Sequence, residues 1–188
     1  LLIADDSADP SITAADMLAQ AEHDVDATAI LLTHSKRTAV GVQNEIKKQL
    51  KVLPTRSIAA TSLGRNGSII LTRSLDEAID IANRFAPEHL SIPDDEMLKK
   101  VTSAGSVFVG SWSPEAAGDY ASGPNHVLPT GGVATFRGGL SVQDYVKIIC
   151  VQQLDRAALK RLAPAITTLA RAEGLEGHAR SIEVRVND

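Results

Sequence analysis

Short apolar runs alternate with longer stretches whose apolar positions recur every three to four residues over the first two thirds of the chain. Residues 1–4, 27–33, 68–72 and 106–110 read as strands, each bounded by polar residues or glycine. Helices lie between them. Asp9 followed by Pro10 is an N-cap with proline at the first helical position. Ser74 with Glu77 three residues on is spaced as a capping box, and Leu75, Ala78, Ile79, Ala82 and Phe85 form one apolar face that stops before Pro87. Strands separated by helices predict an α/β fold with a mostly parallel sheet.

The pattern changes after Pro114. Residues 118–139 carry six glycines and two prolines without periodicity, which predicts a long irregular loop of the kind that serves function or flexibility. From Ser141 the chain is expected to turn helical to its end, with Ser141 and Asp144 spaced as a cap and its N3 partner. Pro164 is expected to break or kink a helix over residues 154–171. The organisation that follows is part of a Rossmann-like α/β domain over residues 1–140 and a helical tail over residues 141–188.

Composition narrows the classes of function. With 44% apolar and 22% charged residues the chain is neither disordered nor fibrous, and with 3% aromatics its core must be built from Ala, Val, Ile and Leu. The formal net charge of −4 comes without a basic run, so neither nucleic acid nor an anionic membrane is an expected partner. The longest apolar runs are too short to cross a bilayer. The one cysteine, Cys150, excludes an internal disulfide framework. It sits in an apolar run that predicts a buried thiol on a helix. The chain opens inside a strand without Met or leader, so further sequence is expected upstream.

Candidate chemistry gathers around the histidines. Gln20 and His23 stand three apart on a helix and share a face, where they suit a metal or equally a polar helix end. Glu88 beside His89 pairs a carboxylate with an imidazole just past a helix stop, the usual proton-transfer pair near neutral pH. Asp119 and His126 lie in the glycine-rich stretch, and Glu173 and His178 in the tail. Taken singly, each is more often a turn or surface residue than a functional one.

Four separated strings change that weighting. AAxxLxQAEHD beginning at Ala14, NRFAPEHL at Asn83, AGSVFVGSWSPEAAGDYASGPNHVLPT at Ala104 and AEGLEGHARSIEVRVN at Ala172 resemble histidinol dehydrogenases in order and spacing. The resemblance runs over essentially the whole chain. It implies that Gln20, His23, Asp119 and His178 ligate one zinc ion and, with His89, His126 and Glu173, contact the substrate. It also implies that Glu88 and His89 are the catalytic proton-transfer residues. The implied reaction is the NAD-linked, four-electron oxidation of L-histidinol through L-histidinal to L-histidine. The implied assembly is an intertwined homodimer in which the tail histidine completes the zinc site of the neighbouring subunit. A cytoplasmic enzyme is implied, or a plastid one in a plant.

The resemblance also has gaps. The family's dinucleotide-contacting residues, and a serine after a Gly-Pro, are expected in sequence ahead of these residues. His34 matches no family functional position. Other readings are a related zinc and NAD dehydrogenase of another polar alcohol, such as a sulfonated diol, a zinc hydrolase using Glu88, or a dimerisation module inactive by itself. A carboxylate at Glu173 suits a cationic amine or imidazole better than a sulfonate.

Overall fold

The strands come first, because their order places everything else. In a computed structural model that describes residues 1–186, five strands form one parallel sheet: β1 (Leu2–Ala4), β2 (Ile30–Thr33), β3 (Ser68–Leu71), β4 (His89–Ile92) and β5 (Ser106–Val109). Their order is β3-β2-β1-β4-β5. The register pairs Leu2 with Leu31 on one side and Ser91 on the other, and His89 with Ser106. The Leu1 nitrogen reaches the His89 carbonyl at 2.8 Å, which extends the β1–β4 pairing by one bond.

Helices cover both faces, as a parallel sheet requires. Alternation along β1 divides the core. Leu2 and Ala4 pack with Ala14, Met17 and Leu18 of α1 (Pro10–Ala21), Val42 of α2 (Lys36–Gln49) and Ala59 of α3 (Arg56–Asn66). Leu1 and Ile3 face the other way, onto Ala78, Ile79 and Ala82 of α4 (Leu75–Phe85) and Met97 of the short α5 (Asp95–Leu98). Each fully buried aliphatic side chain of this kind contributes roughly 1.5–3 kcal/mol.

The helix starts match the expected caps. Asp9 accepts the Ser11 amide at 2.7 Å and Ser74 accepts the Glu77 amide at 3.1 Å. Glu77 closes its side of the box on the Arg73 amide, at 2.6 Å, rather than on that of Ser74. Helix α4 ends on Ala86 in the left-handed conformation, φ 52° and ψ 63°, immediately before Pro87. Proline disfavours a right-handed helical residue ahead of it, so the chain turns there and enters β4.

Three expectations need correction. Residues 118–139 are not irregular from the outset, because α6 (Glu115–Tyr120) runs through Gly118 and places Asp119 on a helix. The glycine there serves close approach, since a Cβ at 118 would stand 2.6 Å from the Phe108 ring. Nor does the chain turn helical at Ser141. Val142–Tyr145 is a single 3-10 turn, with the Ser141 amide donating to Asp144 at 2.8 Å, and residues 146–155 take no regular structure. The run Val146, Ile148, Ile149 and Val151 is β-branched and stiff at χ1, which lowers its helix propensity. Cys150 within it is exposed and off any helix, not buried.

The chain divides into two units after Tyr145. The second holds α7 (Arg156–Ala172) and α8 (Glu176–Val186), which pack on each other. Pro164 lies inside α7 without breaking it, so the helix bears the loss of one backbone bond. The last two residues of the expected tail, 187 and 188, lie outside the described residues. Among the described residues no helix is long and apolar enough to cross a membrane.

Candidate active site

Helix α1 runs back along the sheet from the end of β1, so its last turn sits beside the amino ends of the strands. Gln20 lies in that last turn, and His23 follows the C-cap Glu22 with its amide on the Gln20 carbonyl at 3.4 Å. The turn at Ala86 and Pro87 delivers Glu88 and His89 to the same edge. The Ser106 amide bonds the Glu88 carbonyl at 2.8 Å and the Gly105 amide bonds that of Pro87 at 2.9 Å. Glycine is needed at 105, where a Cβ would stand 2.5 Å from the Glu88 carbonyl oxygen.

Two adjoining cavities open there, of about 620 and 160 Å³, and Gln20, His23, Glu88 and His89 line both. Asp119 and His126 line the smaller one. Six of the eight residues singled out in the sequence therefore meet at one place. Glu173 and His178 belong to the second unit, where both are exposed.

His89 is the centre of this geometry. Its side chain is 11% exposed, and its Nε2 stands 3.5 Å from Asp119 Oδ1. No hydrogen bond forms there, and neither ring nitrogen has a hydrogen-bond partner. Buried polar atoms in native proteins are almost always paired, so an orphaned imidazole lining a cavity is poised for a proton from whatever enters it. Phe108 sets the ring from behind, with centroids 5.7 Å apart and planes tilted by 39°. Asp119 is steadied by His126, whose Nδ1 lies 3.1 Å from the same carboxylate oxygen.

The field of the site is negative. Glu88, Asp24 and Asp26 line the larger cavity, Asp119 and Glu115 the smaller one. The last residues of α1 and α4 border it as well, and helix C-termini carry partial negative charge. A cation is favoured here, whether a metal or an ammonium group, and a pyrophosphate is repelled.

The donor chemistry suits zinc as far as one unit supplies it. An imidazole, a carboxylate and an amide oxygen make three donors, one short of a tetrahedral set. Among the described residues no three His, Cys, Asp or Glu side chains stand close enough together to hold a metal ion.

Glu115 and Asp16 were not among the residues read from the sequence. Glu115 is 6% exposed and accepts the Ser91 hydroxyl at 3.1 Å. Burial, and then the charge of Glu115, push the Asp16 carboxyl up to about 6. The one available signal was helical spacing. Asp16 precedes Gln20 by four residues and Glu115 precedes Asp119 by four, each one turn behind a proposed ligand.

A parallel α/β sheet thus carries imidazole, carboxylate and amide side chains around two cavities at the amino edge of its strands. The family model for histidinol dehydrogenase matches residues 1–186. Histidinol dehydrogenases of Geobacillus kaustophilus and Thermus thermophilus are each 48% identical to the chain, over 99% and 98% of its length. The crystal structure of histidinol dehydrogenase from Elizabethkingia anophelis superposes with a TM-score of 0.94 at 39% identity, covering 99% of this chain and 43% of that one. The chain belongs to the histidinol dehydrogenase family. It spans 45% of the length of those two bacterial relatives.

Proposed function

We propose that this chain forms the acid–base and metal-binding part of an enzyme of histidine biosynthesis that oxidises L-histidinol through L-histidinal to L-histidine with two molecules of NAD. The observation that carries the reading is the buried, unpartnered imidazole of His89 beside Glu88, in a cavity whose field favours a cationic substrate. Gln20, His23 and Asp119 would hold zinc, with the partner subunit's His178 as the fourth ligand. Zinc held there would supply a Lewis-acidic centre that orients a nitrogen-bearing substrate. His126 lines the smaller cavity, and with Glu173 it would complete the contacts to the substrate. The dinucleotide is held by residues outside this chain, which suits a cavity hostile to phosphate.

His89 takes the hydroxyl proton of the alcohol as hydride leaves for the first nicotinamide, which yields the aldehyde. Glu88 then accepts a proton from water as its oxygen adds to the aldehyde carbon, while His89 returns its proton to the aldehyde oxygen and is neutral again. His89 takes the proton of the resulting hydrate as the second hydride leaves, and the product is the acid. Each half-reaction releases one proton and one reduced nicotinamide.

The test separates the two steps in the full-length enzyme. L-histidinal supplied directly reports the second oxidation, and L-histidinol with an aldehyde trap reports the first. Glu88→Gln keeps size but cannot accept a proton, so it should slow the aldehyde step by about a hundredfold or more and the alcohol step far less. His89→Ala should slow both. Equal slowing of the two steps by Glu88→Gln would make Glu88 a positioning residue and overturn the assignment.

A further inference from the structure

Strand β4 and helix α6 touch the candidate site through two parallel connections. On β4, His89 and Ser91 are two residues apart and so share a face of the strand. On α6, Glu115 and Asp119 are four apart and share a face of the helix. Asp119 meets His89 at 3.5 Å, and one step deeper Glu115 accepts the Ser91 hydroxyl at 3.1 Å. The outer contact lies beside the imidazole that the functional reading uses, but at 3.5 Å and without a hydrogen bond it has little directional hold of its own. The inner contact is a charge-assisted hydrogen bond on a carboxylate only 6% exposed. A buried carboxylate without its donor is costly, so this bond resists breaking.

Packing adds to the same alignment. Gly118 lets α6 lie directly on the Phe108 ring of β5, and that ring backs His89. The helix also packs on α1, and against the sheet it has an apolar contact with Phe108 and a polar latch, Glu115 to Ser91.

We propose that Glu115 is a positioning residue for the oxidation: by binding Ser91 it fixes α6 against β4 and thereby sets Asp119 against His89. This rests on the functional reading above, in which His89 moves the protons and Asp119 belongs to the metal set. Glu115 touches neither the reacting atoms nor the proton and acts through Ser91. The acceptor oxygen is what matters, so glutamine, which keeps a carbonyl oxygen in the same place, should serve nearly as well.

The experiment uses the full-length enzyme and four variants: Glu115→Ala, Glu115→Gln, Ser91→Ala and the double variant Glu115→Ala with Ser91→Ala. Crystal structures and rates are read together with thermal melts. Ser91→Ala and Glu115→Ala should each lengthen the distance from His89 Nε2 to Asp119 Oδ1 by about 1 Å and lower kcat by about tenfold to a hundredfold, the size such a displacement produces. Glu115→Gln should stay within about threefold of the parent, and the double variant should be no slower than the worse single one, as for residues acting as one unit. If Glu115→Ala does not fold, Ser91→Ala, the smaller change, carries the test. A parent-like distance and rate in Ser91→Ala, or a glutamine variant no better than alanine, overturns the proposal. Should the parent enzyme prove not to oxidise histidinol, the functional reading fails by itself, and the change in distance still decides whether Glu115 positions the helix.

Discussion

Asp16 shows how a single side chain behind the site ties stability to pH. Its folded pKa of about 6 lies above the usual carboxylate value of 3.8, because the group is partly buried and faces Glu115. The folded state therefore holds this proton more tightly than the unfolded chain. The contribution to stability is fully present below about pH 4 and is lost as pH rises through about 6. Asp16→Asn removes that loss, so the variant should melt higher than the parent at pH 8 and gain much less at about pH 4. An equal gain at both pH values would show that ionisation of Asp16 has no part in it. None of this was visible in the chain as a string, where Asp16 is one of several acids on a helix. The pair Glu88 and His89 was legible as chemistry, and the resemblance gave it weight. That the imidazole is buried and lacks hydrogen bonds depends on Phe108 and Asp119, which reach it from β5 and α6. Long-range contacts of that kind leave no local pattern.

Elements were readable where their ends carry chemistry of their own. Asp9 before Pro10 and Ser74 before Glu77 announced α1 and α4, since caps act within one turn of the chain. Strand β4 was not among the expected strands, because only Leu90 and Ile92 of its four residues are apolar. Helix α6 was hidden by Gly118, a residue that usually argues against a helix and here makes room for a ring. Gly118→Ala should therefore do more than add helix propensity. Its Cβ would meet the Phe108 ring at 2.6 Å, and overpacking of this kind costs about 1–3 kcal/mol. The variant should melt lower and lose activity, because the displaced ring backs His89. Gly64→Ala in α3 is the control: nothing lies within 4 Å of the added carbon, so it should stabilise by up to about 1 kcal/mol with activity unchanged. Similar melting shifts in both variants would contradict the packing argument.

At the scale of the molecule, the proposed zinc set is divided between units, with Gln20, His23 and Asp119 in the first and His178 in the second. If His178 serves the neighbouring subunit, two inactive full-length variants, His23→Ala and His178→Ala, should complement each other. Each mixed dimer would keep one intact site, made of the body of one chain and the tail of the other, so bound zinc and activity should return to about half of normal per mixed dimer. No recovery in verified mixed dimers would count against a shared site. The parallel sheet itself was legible from the alternation of strands and helices. Its order has a further consequence. Strands β1, β2 and β3 neighbour one another and are complete within the first 71 residues, but β1 receives its other neighbour only from residues 89–92. A chain leaving the ribosome can thus close one half of the sheet early, with Gln20 and His23 already on its helix. Glu88, His89 and Asp119 arrive later, through pairings that span almost ninety residues. Contacts so distant along the chain form slowly, so chemical competence should be the last property this domain acquires as it is made.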